Sequence, residues 1–150
     1  MSLTLRRPSI LTAAIVLVAA GCSDATAPAF ELQQAKARWS ARQPAAYRMT
    51  VVQHCFCGMP PAIEVVVRGG VVQSRRDVAT GEPVEERMAG LAGTVETLFG
   101  VVEQAIANDA HHLDATFDRR LGYPARVVID HRVEMVDDEL TLLVQDFVVE

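Results

Sequence analysis

The stretch Ile63-Glu64-Val65-Val66-Val67-Arg68-Gly69-Gly70-Val71-Val72-Gln73-Ser74 decides how this chain is read. A Val-rich run meets a Gly-Gly pair and a second apolar run resumes at once. β-Branched residues favour a pleated strand, and two glycines between such runs are a tight hairpin signal. The spacing therefore predicts strands over Ile63 to Arg68 and Val71 to Val78. Upstream, Tyr47, Met49 and Val51 alternate with Arg48, Thr50 and Val52, which predicts a strand from Tyr47 to Cys55 with one buried face. Gly58-Met59-Pro60-Pro61 is a turn between them.

Working outward, Phe30 to Gln43 carries Leu32, Ala35 and Trp39 at helical spacing, and Pro44 stops it. After Thr80-Gly81-Glu82-Pro83, the pattern begins again. Leu91, Val95, Leu98, Val102 and Ala105 form a second helical stripe, ended by Asn108-Asp109. His112 to Asp118, Arg126 to His131 and Leu140 to Val149 read as strands, separated by Gly122-Tyr123-Pro124 and by a turn containing Asp137-Asp138. The order is helix, three strands, helix, three strands. Short hairpins favour an antiparallel sheet with the two helices packed on one face, an α+β fold. Cys57-Gly58-Met59-Pro60 before Ile63 echoes Leu121-Gly122-Tyr123-Pro124 before Arg126. The echo points either to an internal duplication or to turn chemistry that recurs before Val-rich strands.

The N-terminus has a different grammar. Arg6-Arg7 precede an apolar run from Ile10 to Ala20, and Val18-Ala19-Ala20-Gly21-Cys22 closes it. This is the layout of a secretory signal with a small-residue cleavage site. The run is shorter than the ~20 apolar residues that a span requires. The Cys after Gly21 makes it resemble a bacterial lipobox, with residues 1–21 as signal peptide, Cys22 as the lipidated first residue, 22–29 as lipidated Cys and tether, and 30–150 as one domain. Ala19 stands where lipoboxes usually carry Leu, so plain secretion is the alternative. Ser23 rather than an acidic residue follows the Cys, which favours the outer membrane if the organism is diderm. Location is then the extracytoplasmic side, with the membrane reached through lipid on Cys22.

Removing 21 of 150 residues leaves 129, enough for one domain with a core. Of the 14 basic residues only Arg6 and Arg7 are lost, so 12 basic against 19 acidic give the mature chain a charge of −7. That balance argues against nucleic acid as a partner. An envelope protein bound through a sheet face or a strand edge fits better.

Cys55 and Cys57 are the sharpest chemical feature. In an exported chain two thiols tend to pair. On an extended strand, positions two apart share a face with Cα atoms about 6.6 Å apart, at the edge of disulfide reach. A bridge closing so small a loop stabilises by roughly 1.6 kcal/mol before strain is subtracted. A local disulfide is the leading reading. A thiolate metal site is the next, since thiolates suit Cu(I) and Zn. His54 adjoins the pair but points to the other face of a regular strand, and only one of His111 and His112 can face it, so no four-ligand set is visible. A redox pair lacks the Cys-x-x-Cys spacing and a following helix start. Free buried thiols are the fourth reading.

Other candidates carry less. Asp137-Asp138-Glu139, joined by Asp130 or Asp118, is acidic enough for Ca²⁺ but lacks the spacing of a calcium loop, and a solvated turn explains it better. Trp39, Tyr47 and Tyr123 read as packing residues and Arg119-Arg120 as a surface pair. No nucleophile elbow, zinc-protease helix or phosphate loop appears. No catalytic residue, metal or cofactor is therefore assigned, and the reading is a non-enzymatic binding or structural domain, with a metal or redox role for Cys55/Cys57 as the alternative.

The ordered set Ala37-Arg38-Trp39, Pro44, Tyr47, Cys55-Phe56-Cys57, Gly81-Glu82-Pro83-Val84, Thr97-Leu98-Phe99, Thr116-Phe117-Asp118, Leu121-Gly122-Tyr123-Pro124, Ile129-Asp130 and Asp137-Asp138-Glu139 resembles a family of small bacterial lipoproteins catalogued as domain of unknown function six-one-seven-four. The likeness runs from about Leu32 to Val149. It implies a secreted, anchored α+β domain and brings no known activity, hence no catalytic residues.

Overall fold

The computed structural model describes residues 27–55, 60–132 and 139–150. Its elements are α1 (Ala27–Arg42), β1 (Ala46–Cys55), β2 (Ile63–Arg68), β3 (Val71–Asp77), a 3-10 turn (Glu86–Met88), α2 (Val95–Ala107), β4 (His112–Phe117), β5 (Pro124–Asp130) and β6 (Leu140–Val149). The six strands form one sheet in the order β3-β2-β1-β6-β5-β4, antiparallel throughout. The α+β reading holds, with both helices against one face.

Among the described residues α1 already takes in Ala27 to Ala29, the last three residues of the stretch assigned to the tether. Leu32, Ala35 and Trp39 are its buried stripe. Helix α2 starts later than its apolar stripe suggests. Thr94 caps it, its hydroxyl accepting from the Thr97 N–H, and Leu91 falls in the preceding turn. That turn is fixed from the sheet, where Gln53 Oε1 accepts from the Leu91 N–H at 3.2 Å.

The core lies between sheet and helices. Met49, Val65, Val67, Val127, Ile129 and Leu142 enter it from the sheet, and Val95, Leu98, Phe99 and Val102 from α2. One corner is aromatic. Tyr123, Phe147 and Tyr47 form a stack, with centroids 4.2 Å and 5.1 Å apart, and Trp39 meets Tyr47 edge-on at 5.5 Å. Trp39 Nε1 donates to Glu96 at 2.8 Å, and the Tyr47 hydroxyl accepts from the Val95 N–H at 3.1 Å. The buried polar tips thus have partners, as such tips require.

Phe147 reaches this stack through a β-bulge. Thr50 faces Gln145 but Arg48 faces Val148, so β6 holds one extra residue there. Asp146 takes a left-handed φ of 49° within it. The extra residue inverts the alternation. Leu140, Leu142 and Val144 face the helices before the bulge, and Phe147 does so after it.

The internal duplication suggested by the echoing turns is not carried by the strand layout. Mapping β1, β2 and β3 onto β4, β5 and β6 shifts each strand three places across the sheet and reverses its direction. Both helices stay on one face. That operation is a reflection, which no rotation of an L-chain reproduces. The strand layout therefore does not confirm a duplication.

Candidate functional site: the open face of the sheet

Each strand has one face toward the helices or the segment leading into α2, which Arg75 of β3 meets at the Ala92 carbonyl, and one face without a covering layer among the described residues. On the second face, register sets the neighbours. Val52 lies opposite Leu143, Leu143 opposite Arg126, and Arg126 opposite Thr116. One row on, His54 faces Thr141, Thr141 faces Val128 and Val128 faces Asp114. Val52, Leu143 and Val128 therefore form a half-buried aliphatic strip at the centre. Charged pairs flank it, Arg126 with Asp114 and Arg48 with Glu64, the latter at 3.4 Å.

Toward β3 the same face carries a cleft of about 470 Å³ lined by Arg48, Thr50, Glu64, Arg76, Asp77 and Asp146 among others. Thr50, 7 % exposed, is the one buried polar residue among those described. A second cavity, a groove of about 530 Å³, lies between the helices over Ala29, Leu32, Ile106 and Ala107 and is crossed by the Lys36–Glu103 ion pair.

The two sheet edges differ. Along β3, the Val84 N–H donates to the Arg75 carbonyl and the Asp77 N–H to the Glu82 carbonyl, both at 2.9 Å. Gln73 Nε2 donates to the Val71 carbonyl. The Arg75–Asp77 part of this edge is thus occupied by the following segment, a common protection against edge pairing. The outer edge of β4 pairs with no further strand among the described residues.

The cysteine site divides. Cys55 ends β1 on the helix side, half-buried, with Gln53 Nε2 donating to its sulfur at 3.4 Å. Cys57 lies outside the described residues, as does Cys22. His54 is exposed on the open face, opposite in sense to Cys55, as alternation requires. His112 faces Asp130 across β4 and β5. Among the described residues no three His, Cys, Asp or Glu side chains converge on a metal-sized space.

The acidic candidates separate as well. Asp118 Oδ1 accepts from the Arg120 and Leu121 N–H groups and shapes the β4–β5 turn. Asp130 Oδ1 accepts from the Arg132 N–H at the far end of β5. The two cannot share one ion. Asp137 and Asp138 lie outside the described residues. Arg119 and Arg120 are exposed, and the Arg120 carbonyl accepts from Arg42.

Two tyrosines are perturbed. Burial pushes the Tyr47 hydroxyl up to about 12, opposed by the Val95 N–H and reinforced by the charge of Glu96. Burial also raises Tyr123, with Asp118 adding and Arg120 opposing. Both are packing groups in the aromatic stack, and neither faces the open surface or a nucleophile.

What sequence reasoning left unassigned is the strip itself. Leu143 follows Leu142 directly and reads as core, and only the pairing shows that it projects to the opposite side. No described helix is long and apolar enough to cross a membrane. The fold and this surface define a two-layer α+β domain whose second sheet face is uncovered among the described residues. The model of the Family of unknown function (DUF6174) matches residues 31–149, and the chain belongs to that family. Neither the curated proteins nor the solved structures give a match to it.

Proposed function

We propose that this protein is a membrane-anchored extracytoplasmic lipoprotein, acylated on Cys22, whose domain binds an envelope protein through the open face of its sheet and performs no catalysis. In a cell with two membranes it sits on the periplasmic side of the outer one. The observation that carries the reading is the Val52–Leu143–Val128 strip. It is aliphatic, central, ringed by charged pairs and not covered by the helices. An apolar centre with a polar rim is the anatomy of a protein-binding patch.

The Cys55/Cys57 pair is a local disulfide in this reading and shapes the turn after β1. Its alternative, a metal or redox pair, predicts a different mass. Intact mass of an exported Ser23–Glu150 chain, native and denatured, should show the loss of two hydrogens, no alkylation and no metal. Two alkylatable thiols with retained metal would replace the binding-domain reading with one centred on the cysteines.

The binding reading is tested by crosslinking in intact envelopes. Wild-type protein should capture a defined envelope protein, and Leu143→Arg should lose it while melting within a few degrees of wild type. Recovery of nothing above background by the wild type would sink the proposal.

A further inference from the structure

We infer that the end of the domain carrying the start of α1, the end of α2 and the α2–β4 turn rests on the bilayer surface, while the end carrying Gly69-Gly70 and Arg119–Gly122 points away from it. This deepens the anchored reading and rests on lipidation at Cys22.

The argument is one of reach. Ala27, the first residue of α1, follows Cys22 by five residues. Fully extended, that length spans about 18 Å at ~3.5 Å per residue. Helix α1 has 16 residues and is therefore roughly 24 Å long at ~1.5 Å per residue. Its far end is fixed to the opposite end of the domain. Arg42 donates to the Arg120 carbonyl, and Gly122 packs against Ala35 and Trp39. Turning that end to the membrane would lift Ala27 further from the bilayer than the linking residues can span.

The near end follows from helix packing. Trp39 meets Glu96, Lys36 meets Glu103, and Ala29 and Leu32 share a groove with Ile106 and Ala107. As numbers fall along α1 they rise along α2, so the helices are antiparallel. The start of α1 thus lies beside the end of α2 and the turn at 108–111 that leads into β4. Phe30, 58 % exposed, stands at this end and supplies an apolar side chain to the interface.

Electrostatics opposes this placement. Arg42, Arg119 and Arg120 are exposed at the far end, where an anionic lipid surface would attract them. That attraction is soft and screened by salt, whereas the length of an extended chain is a hard limit. The tether wins, and the arginines are presented to the compartment instead.

The two turns that flank β4 test the inference, because they lie eight residues apart in sequence and at opposite ends of the strand. The full-length precursor is made in a bacterium that acylates lipoproteins, with a photoreactive residue at one turn or the other, His111→benzoylphenylalanine or Arg119→benzoylphenylalanine. Membranes are irradiated and adducts to phospholipid are read by mass spectrometry. The inference expects lipid adducts several-fold more abundant from position 111 than from position 119. Equal yields, a reversed ratio, or no adduct from either position would overturn it. The intact mass from the same preparation reports acylation of Cys22, so a chain without lipid defeats the anchor reading itself, and a lipidated chain with the wrong pattern defeats only the orientation.

Discussion

The two faces of the sheet are built from the same strands, often from adjacent residues, and obey different rules. Leu142 is 2 % exposed beneath the helices, while its neighbour Leu143 is half-buried on the open side. On the covered face, shape is determined by contact with a second layer, and error in any atom is felt by several neighbours. On the open face, side chains touch mainly those beside them in the sheet. The covered face holds the fold together, and the open face is where variation is tolerated structurally and where binding is to be sought.

The largest expected difference is at Gly122, on the covered side. Its φ is +93°, and an added Cβ would sit 2.3 Å from the Ala35 carbonyl oxygen and 3.0 Å from Arg38 Cβ. The first of these is helix backbone and cannot swing aside. Gly122→Ala should cost roughly 3–5 kcal/mol, from left-handed strain and overpacking together. Denaturant unfolding measures it, and a loss below about 1 kcal/mol would mean that α1 is not seated on this turn.

Leu142→Ala and Leu143→Ala set the two faces directly against each other. The first should lose about 2–5 kcal/mol by opening a cavity. The second should lose about 1 kcal/mol or less, since its surroundings are already partly solvent. The same denaturant experiment reads both, and equal losses would break the distinction between the faces.

Alkaline pH probes the covered face in another way. The Tyr47 hydroxyl is raised above its ordinary value of 10.0 to about 12 in the folded protein. The phenolate is disfavoured by folding, so the contribution is fully present below pH 10 and is lost as pH rises toward 12. Thermal melts across that window should fall more steeply for the wild type than for Tyr47→Phe, which carries no proton to lose. Parallel curves would show that Tyr47 does not sit in the core as described.

The smallest effect belongs to the open face. Arg126 and Asp114 pair across β5 and β4 with side chains nearly half exposed. Arg126→Ala should change stability by less than about 0.5 kcal/mol, because solvent screens such pairs. A larger loss would mean that the flanking pairs are structural, and would weaken the case for a free binding surface.

Much of this was legible in the chain. Leu32, Ala35 and Trp39 announced α1, the glycine pair announced the β2–β3 hairpin, and alternation put Tyr47, Met49 and Val51 on one face. Local pattern suffices there because helix and strand periods fix which side chains share a side. Two features escaped it. Phe147 joins the aromatic stack only because a bulge inverts the register of β6, and an extra residue leaves no mark in a run such as Val144-Gln145-Asp146-Phe147. The open strip joins Val52 of β1 to Val128 and Leu143 near the other end of the chain, so no local pattern shows that the three are neighbours.

The sequence by itself determined the elements and the covered side of β1. Those are properties of short stretches, set by turn chemistry and by periodicity. Tertiary structure alone decided that β1 lies beside β6, because strand order depends on which hairpins dock under the two helices. It also decided that one face of the sheet has no second layer among the described residues. These depend on contacts between segments far apart in the chain, whose free energies no local pattern records.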